Sequence, residues 1–265
     1  GGSEASGGAI VVSNEAATTE IYTDVDGVYT TDPRVEPKAR KLDRITFEEM
    51  LEMASLGAKV LQIRSVEFAG KYRVPLRVLS SFVDGEGTLI TYGGERMEAP
   101  LVSGIAFNRN EASLTILGVP DRPTVAAQIL NPISDANIDV DMIVQNTMGD
   151  GTADFTFTVN RDDYRRARAL LEETATLLGA ACVQGNGEIA KVSIVGVGMW
   201  NHPGVARTMF KVLGEEGINM QLISTSEIKI SVVIDEKYLE LAVRSLHSAF
   251  GLDNEPHEQP LGNNP

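Results

Sequence analysis

Apolar positions recur along the chain in two rhythms, every second residue in short stretches and every third or fourth in longer ones, the signatures of strands and amphipathic helices. Ile21-Tyr22-Thr23 predicts a short strand, and Asp24-Val25-Asp26-Gly27 breaks it, because Asp and Gly favour turns. Thr31-Asp32-Pro33 predicts a second turn. Thr46 and Glu49 have the spacing of a capping box, with Ile45 and Met50 placed to staple it. Phe47, Met50, Leu51 and Ala54 follow at helical spacing up to Gly57, and residues 58–72 predict another helix. Residues 74–79 read as a strand with Pro75 near its start, where a missing N–H is tolerable. Residues 82–94, with Gly85, Gly87, Gly93 and Gly94, predict loop, and a domain boundary is placed there.

The remainder holds an internal repeat. Residues 114–142 and 192–222 each begin with an alternating apolar strand ending in Gly-Val, at Gly118-Val119 and Gly196-Val197. A loop then carries Pro123 before Val125-Ala126, or Pro203 before Val205-Ala206, and an amphipathic helix follows. Ile138-Asp139-Val140 and Ile218-Asn219-Met220 open the next strand. Residues 155–159 and 228–234 predict a third strand, and a second helix begins near Tyr164 or Tyr238. The unit is βαββα, with room for an added strand that would complete βαββαβ, and it suits two copies of a small α+β sandwich.

Composition narrows the function. The 265 residues have ordinary globular usage, 43% hydrophobic and 23% charged. A formal charge of -14 repels phosphate backbones, so nucleic acid is not an expected partner. No apolar run is long enough for a membrane helix, so no membrane partner is expected either. Cys182 is the single cysteine, and with three histidines it can build neither an internal disulfide nor a zinc cluster, so no metal site is expected and the cytoplasm is the expected compartment. Residues 1–8 are small and polar without a basic start, and the first methionine is Met50, which reads as a fragment or a processed product.

The loop after the first strand gathers carboxylates and hydroxyls at a strand's C-terminal end, where open α/β sheets bind ligands. Ile-Tyr-Thr-Asp-Val-Asp-Gly-Val-Tyr-Thr-Thr-Asp-Pro-Arg over 21–34, followed by Thr46-Phe47-Glu48-Glu49-Met50 and the segment to Ala69, resembles the C-terminal part of the catalytic domain of aspartate kinase. The tandem repeat resembles the paired ACT domains that follow it in that family, and Gln221-Leu222-Ile223-Ser224-Thr225-Ser226-Glu227-Ile228 resembles the bacterial form regulated by lysine and threonine.

The resemblance implies α/β and α+β architecture: a partial amino-acid-kinase α/β/α sandwich followed by two ferredoxin-like βαββαβ ACT domains. The expected extents are 1–92 for the kinase portion, 93–185 and 186–255 for the ACT domains, and a disordered tail over 256–265. It implies transfer of a phosphoryl group from ATP with Mg²⁺ to L-aspartate, and no prosthetic group. Thr23 and Asp24 would contact the nucleotide, Tyr29, Thr30, Thr31, Asp32, Pro33 and Arg34 would wrap it, and Ala58 and Lys59 would add contacts from a helix N-terminus. Gly1, Gly2 and Ser3 stand at the spacing of the family's glycine-rich substrate motif; a flexible linker is the other reading of residues 1–8. The family's phosphate loop would lie upstream, so no catalytic residue is assigned, and the chain alone is expected to lack turnover. Residues 101–107 would supply the strand that completes the second ACT domain, interleaving the two.

Effector chemistry can be argued from the residues themselves. An amino acid presents a carboxylate, which free helix N–H groups suit, and an ammonium, which an Asp or Asn suits. In the first repeat these are Asp121, Ala126, Asp139, Val140 and Asp141, with Gln145 for a side chain. In the second they are Val205, Ala206, Asn219, Met220, Ser226 and Glu227. The family's Pro-Gly-Val stands as Pro203-Gly204-Val205 but becomes Pro123-Thr124-Val125 in the first repeat, which adds a Cβ where backbone approaches ligand. L-Lysine and L-threonine are the implied effectors, and a homodimer through ACT edge strands or a heteromer with a full-length subunit the implied assembly. The alternative reading is a non-catalytic regulatory amino-acid-binding subunit.

Overall fold

The computed structural model describes residues 18–56, 60–93, 101–199 and 202–254. The first strand, β1 (Thr19–Thr23), pairs parallel with β3 (Leu76–Ser80), from Thr19 opposite Leu76 to Thr23 opposite Ser80. With β2 (Arg44–Thr46) and β4 (Thr88–Thr91) they form a four-stranded sheet in the order β1-β3-β4-β2. Alternation decides the buried face of β1: Ile21 points inward and Glu20 and Tyr22 outward. Ile21, Leu76, Val78 and Ile90 pack with Phe47, Met50 and Met53 of α1 (Phe47–Ser55) and Val66 and Ala69 of α2 (Ile63–Lys71). The capping box forms: Glu49 N–H donates to Thr46 Oγ1 at 3.2 Å and Thr46 N–H to Glu49 Oε2 at 3.1 Å.

Two expectations are corrected here. The helix predicted over 58–72 begins only at Ile63, because the extended backbone of Gln62 (ψ 129°) lets Leu61 turn into the core instead of continuing a helical face. The loop predicted over 82–94 contains β4. Gly87, at φ 64°, makes the turn of a hairpin, and a Cβ there would sit 1.9 Å from the Val78 carbonyl oxygen. Thr88, Leu89, Ile90 and Thr91 then pair antiparallel with β3 and parallel with β2.

The second sheet has six strands in the order β6-β7-β5-β8-β10-β9: β5 (Gly104–Pro120), β6 (Val140–Thr147), β7 (Thr152–Asn160), β8 (Cys182–Val195), β9 (Leu222–Thr225) and β10 (Lys229–Asp235). The helices fall where the repeat predicts them: α3 (Val125–Asp135), α4 (Tyr164–Leu178), α5 (Pro203–Glu215) and α6 (Leu239–Ala249). Residues 104–107 and 114–119 belong to one longer run, since β5 is continuous, while 101–103 precede it, and β8 starts ten residues before the strand read at Val192.

The chain forms two compact units. One comprises Asn108–Lys191 and Val233–Lys237. Its core holds Leu114, Ile116, Phe155 and Phe157 of the sheet against Ile129 and Ile133 of α3 and Leu171 of α4. The other comprises the chain up to Phe107, Val192–Val232 and the chain from Tyr238 onward. Within it Ser103 N–H donates to Val195 O at 2.8 Å, and a Cβ on Gly196 would meet the Leu101 carbonyl oxygen at 2.1 Å. Residues just before β5 therefore run beside the first strand of the second repeat, the place the interleaved arrangement requires. The tail over 256–265 lies outside the described residues.

Candidate functional site

The segment after β1 leaves the C-terminal end of a parallel strand, and its polar groups hold one another. Thr23 Oγ1 donates to Asp24 Oδ1 at 3.1 Å. Tyr29 OH donates to Asp26 Oδ1 at 2.9 Å, and Lys41 Nζ reaches Asp26 Oδ2 at 3.3 Å. Burial opposes ionisation of Asp26, but these two donors outweigh it and hold the carboxyl below its usual range. Asp32 accepts from Arg34 N–H at 2.9 Å and from Arg34 Nη2 at 2.7 Å, so the guanidinium folds back over the turn while staying 88% exposed. The hydroxyl of Thr31 is buried and has no hydrogen-bond partner among the described residues. Thr30 is fully buried and used on every side: its N–H donates to Arg40 O at 2.8 Å, its Oγ1 accepts from Arg40 N–H at 3.0 Å, and its carbonyl accepts from Ile105 N–H at 2.7 Å. Gly1, Gly2, Ser3, Ala58 and Lys59 lie outside the described residues.

The first repeat arranges its effector candidates around α3 and β6. No side chain caps α3. Its N-cap residue, Thr124, sits at φ 83°, a left-handed conformation that a β-branched residue adopts only under strain. Asp121 and Asp139 are exposed and Ala126 half-buried. The β6–β7 register slips between Val140 and Ile143, and such a bulge re-aims side chains. At this slip Asp141 pairs with Lys191. Lys191 is buried and also reaches Glu111 at 3.2 Å, while Asn108 Nδ2 donates to Glu111 Oε1 at 3.0 Å. Burial pushes the Glu111 carboxyl up and Asp141 adds to this, outweighing the pull of Lys191. Asp141 is thus already engaged by an internal ammonium. Gln145 is exposed on β6.

In the second repeat His202 precedes α5, and its Nδ1–H donates to Gly198 O at 3.0 Å. Val205 buries its side chain in the core and donates its N–H to His202 O at 3.0 Å. Asn219 and Glu227 are exposed, and Ala206 and Met220 half-buried. Ser226 Oγ accepts from Lys229 N–H at 3.2 Å, closing the turn between β9 and β10.

Four residues that sequence reasoning left without a functional role join these segments. Glu49, buried at the start of α1, accepts from Ser103 Oγ at 2.6 Å and from Val197 N–H at 3.1 Å besides closing the capping box. Its neighbour one turn on, Glu52, pairs with Lys229 at 2.7 Å. On α6, His247 Nε2 meets Thr30 Oγ1 at 2.9 Å and Arg244 Nε donates to Val35 O at 2.8 Å. The signal for His247 was present in the sequence, since it continues the apolar stripe of Leu239, Val243 and Leu246.

The amino acid kinase family model matches residues 1–80, and ACT domain models match residues 113–178 and 192–250. An aspartate kinase of Pseudomonas putida is 66% identical over 254 residues, which cover 96% of this chain and 62% of that protein. A chain from a crystal structure of aspartokinase alpha and beta subunits is 56% identical, with a TM-score of 0.54, and the match covers 57% of this chain and 99% of that one. Aspartokinase III of E. coli, solved in complex with aspartate and ADP, is 29% identical with a TM-score of 0.77, covering 94% of this chain and 56% of that one. The chain spans about 62% of the length of the curated relatives it matches.

Proposed function

Because the chain belongs to the aspartate kinase family, as the C-terminal part of an amino-acid-kinase domain followed by paired ACT domains, we propose that it carries the nucleotide side of an aspartate kinase together with its amino-acid-sensing region. The reaction is attack of the β-carboxylate oxygen of L-aspartate on the γ-phosphorus of ATP. The bond to the bridging oxygen breaks, ADP leaves, and 4-phospho-L-aspartate forms. A carboxylate is ionised at neutral pH, so positioning and charge neutralisation carry the reaction rather than a strong base. Mg²⁺ enters with ATP. Thr23, Asp24 and residues 29–34, with Ala58 and Lys59, are the proposed nucleotide contacts, and Gly1, Gly2 and Ser3 the proposed aspartate contacts.

The observation that carries this reading is the loop after β1, where a buried Thr31 hydroxyl, without a partner among the described residues, lies between two well-held ends beside the Asp32–Arg34 fork. Fluorescent ATP with Mg²⁺ should bind the chain weakly, and trapping the acyl phosphate as a hydroxamate should show turnover only when the upstream half of the kinase domain is supplied. No nucleotide binding at millimolar concentration would overturn the kinase reading and favour the regulatory subunit.

The ACT repeats are the proposed seats of L-lysine and L-threonine. Calorimetry with each and with both together tests this; the absence of heat up to millimolar concentration would sink it. The cytoplasm is the proposed compartment, and assembly through ACT edge strands, as a homodimer or with a full-length subunit, the proposed quaternary state. The extents 93–185 and 186–255 stay as the proposed reach of the two repeats. Among the described residues no helix is long and apolar enough to cross a membrane.

A further inference from the structure

We propose that helix α6 acts as a bracket on the nucleotide loop, with His247 and Arg244 as positioning residues that hold the two ends of the Thr30–Val35 segment. The inference rests on the reading of residues 29–34 as the nucleotide loop. His247 Nε2 meets Thr30 Oγ1 at 2.9 Å, and Arg244 Nε donates to Val35 O at 2.8 Å. The two side chains stand three residues apart on α6, so they project from one face of the helix. Their targets stand five residues apart on the loop and enclose Thr31, Asp32, Pro33 and Arg34.

The bracket differs at its two ends. His247 and Thr30 are both buried, so losing the imidazole would leave the Thr30 hydroxyl, away from water, with the Arg40 N–H as its remaining partner among the described residues. Arg244 is half-exposed, shares its guanidinium with Glu240 at 3.3 Å, and grips a backbone carbonyl, which fixes the chain whatever side chain Val35 carries. Thr30 is further tied to Arg40 and Ile105, so the His247 end is the rigid one. A binding loop needs its ends fixed by packing and hydrogen bonds, and between these ends the segment folds on itself, Asp32 O accepting from Val35 N–H at 2.9 Å and Asp32 Oδ2 from Arg34 Nη2 at 2.7 Å. The bracket belongs to the second repeat's last helix, so a change in that repeat has a direct mechanical route to the nucleotide loop. Burial keeps His247 neutral at physiological pH: it holds the ring below its ordinary value, with Arg40 and Lys38 adding to this and Glu36 and Asp253 opposing it.

Amide hydrogen exchange on the whole chain tests the proposal. His247→Phe keeps the ring volume and removes the hydrogen bond; Arg244→Met keeps the stem and removes the grip. Each should speed exchange of residues 28–42 by about tenfold, the effect of one buried hydrogen bond, while β8 and β10 keep their protection. His247→Gln, which can still meet Thr30, should restore slow exchange. Unchanged loop exchange in a folded His247→Phe or Arg244→Met chain would overturn the bracket, and so would an equal rise throughout the chain. Should His247→Phe fail to fold, Arg244→Met alone decides, because its side chain is not in the core. Fluorescent ATP titrated into the same proteins separates the two ideas. If the original chain binds none, the nucleotide reading falls while the exchange result still judges the bracket. If it binds, both variants should weaken binding without altering amino-acid binding.

Discussion

Lys191 carries a buried ammonium between Glu111 and Asp141, two carboxylates far apart in the chain. Removing one partner of a buried ion pair costs about 3–5 kcal/mol because the other is left uncompensated, whereas removing both together is often nearly neutral. Lys191→Met should therefore destabilise the chain by about 3–5 kcal/mol, and Lys191→Met with Glu111→Leu should recover most of that loss. Urea unfolding of the three proteins at neutral pH is the check; a single variant no less stable than the double would refute the coupling. Nothing local marked this lysine. In Ile189-Ala190-Lys191-Val192 it reads as the outward residue of an apolar strand, and only the fold brings its partners to it. By contrast the turns at 24–27 and 31–33 were legible, since Asp, Gly and Pro gather there in one short stretch.

At the scale of elements, the strain at Thr124 makes the sharpest prediction. A β-branched N-cap at φ 83° costs on the order of 1–3 kcal/mol, and glycine relieves it. Thr124→Gly should raise the stability of the chain by about 1 kcal/mol after the extra unfolded-state entropy of glycine is deducted; thermal unfolding showing a loss instead would mean that Thr124 makes contacts worth more than its strain. The same change restores the family's Pro-Gly-Val. Helices with complete local signals, such as α1 with its capping box, were legible almost to the residue. α2 was not, because Val60 and Leu61 extend the apolar pattern while the backbone remains extended at Gln62. β4 was hidden for the opposite reason: Gly85 and Gly87 belong to the hairpin that leads into it, and the run of glycines in the sequence masked the strand.

At the scale of the molecule, the repeat made the tandem domains legible, since two copies of one pattern confirm each other. The long run of β5 and the grouping of the chain into compact units were not, because both depend on pairings between distant segments. The order of the six-stranded sheet carries one more consequence. β6 and β9 are its two edges, and β6 holds Asp141 and Gln145 while β9 lies between Met220 and Ser226. Each proposed effector seat therefore borders a row of backbone donors and acceptors open to a second copy. Where a neighbouring chain finishes the pocket, ligand and neighbour strengthen each other by mass action. The apparent affinity for lysine or threonine should then rise with protein concentration, and the effector should shift the sedimentation profile toward the larger species. Titrations that superimpose across a hundredfold range of protein would show that one chain suffices. If they separate, the sensing threshold is set as much by the abundance of the protein as by the level of the amino acid.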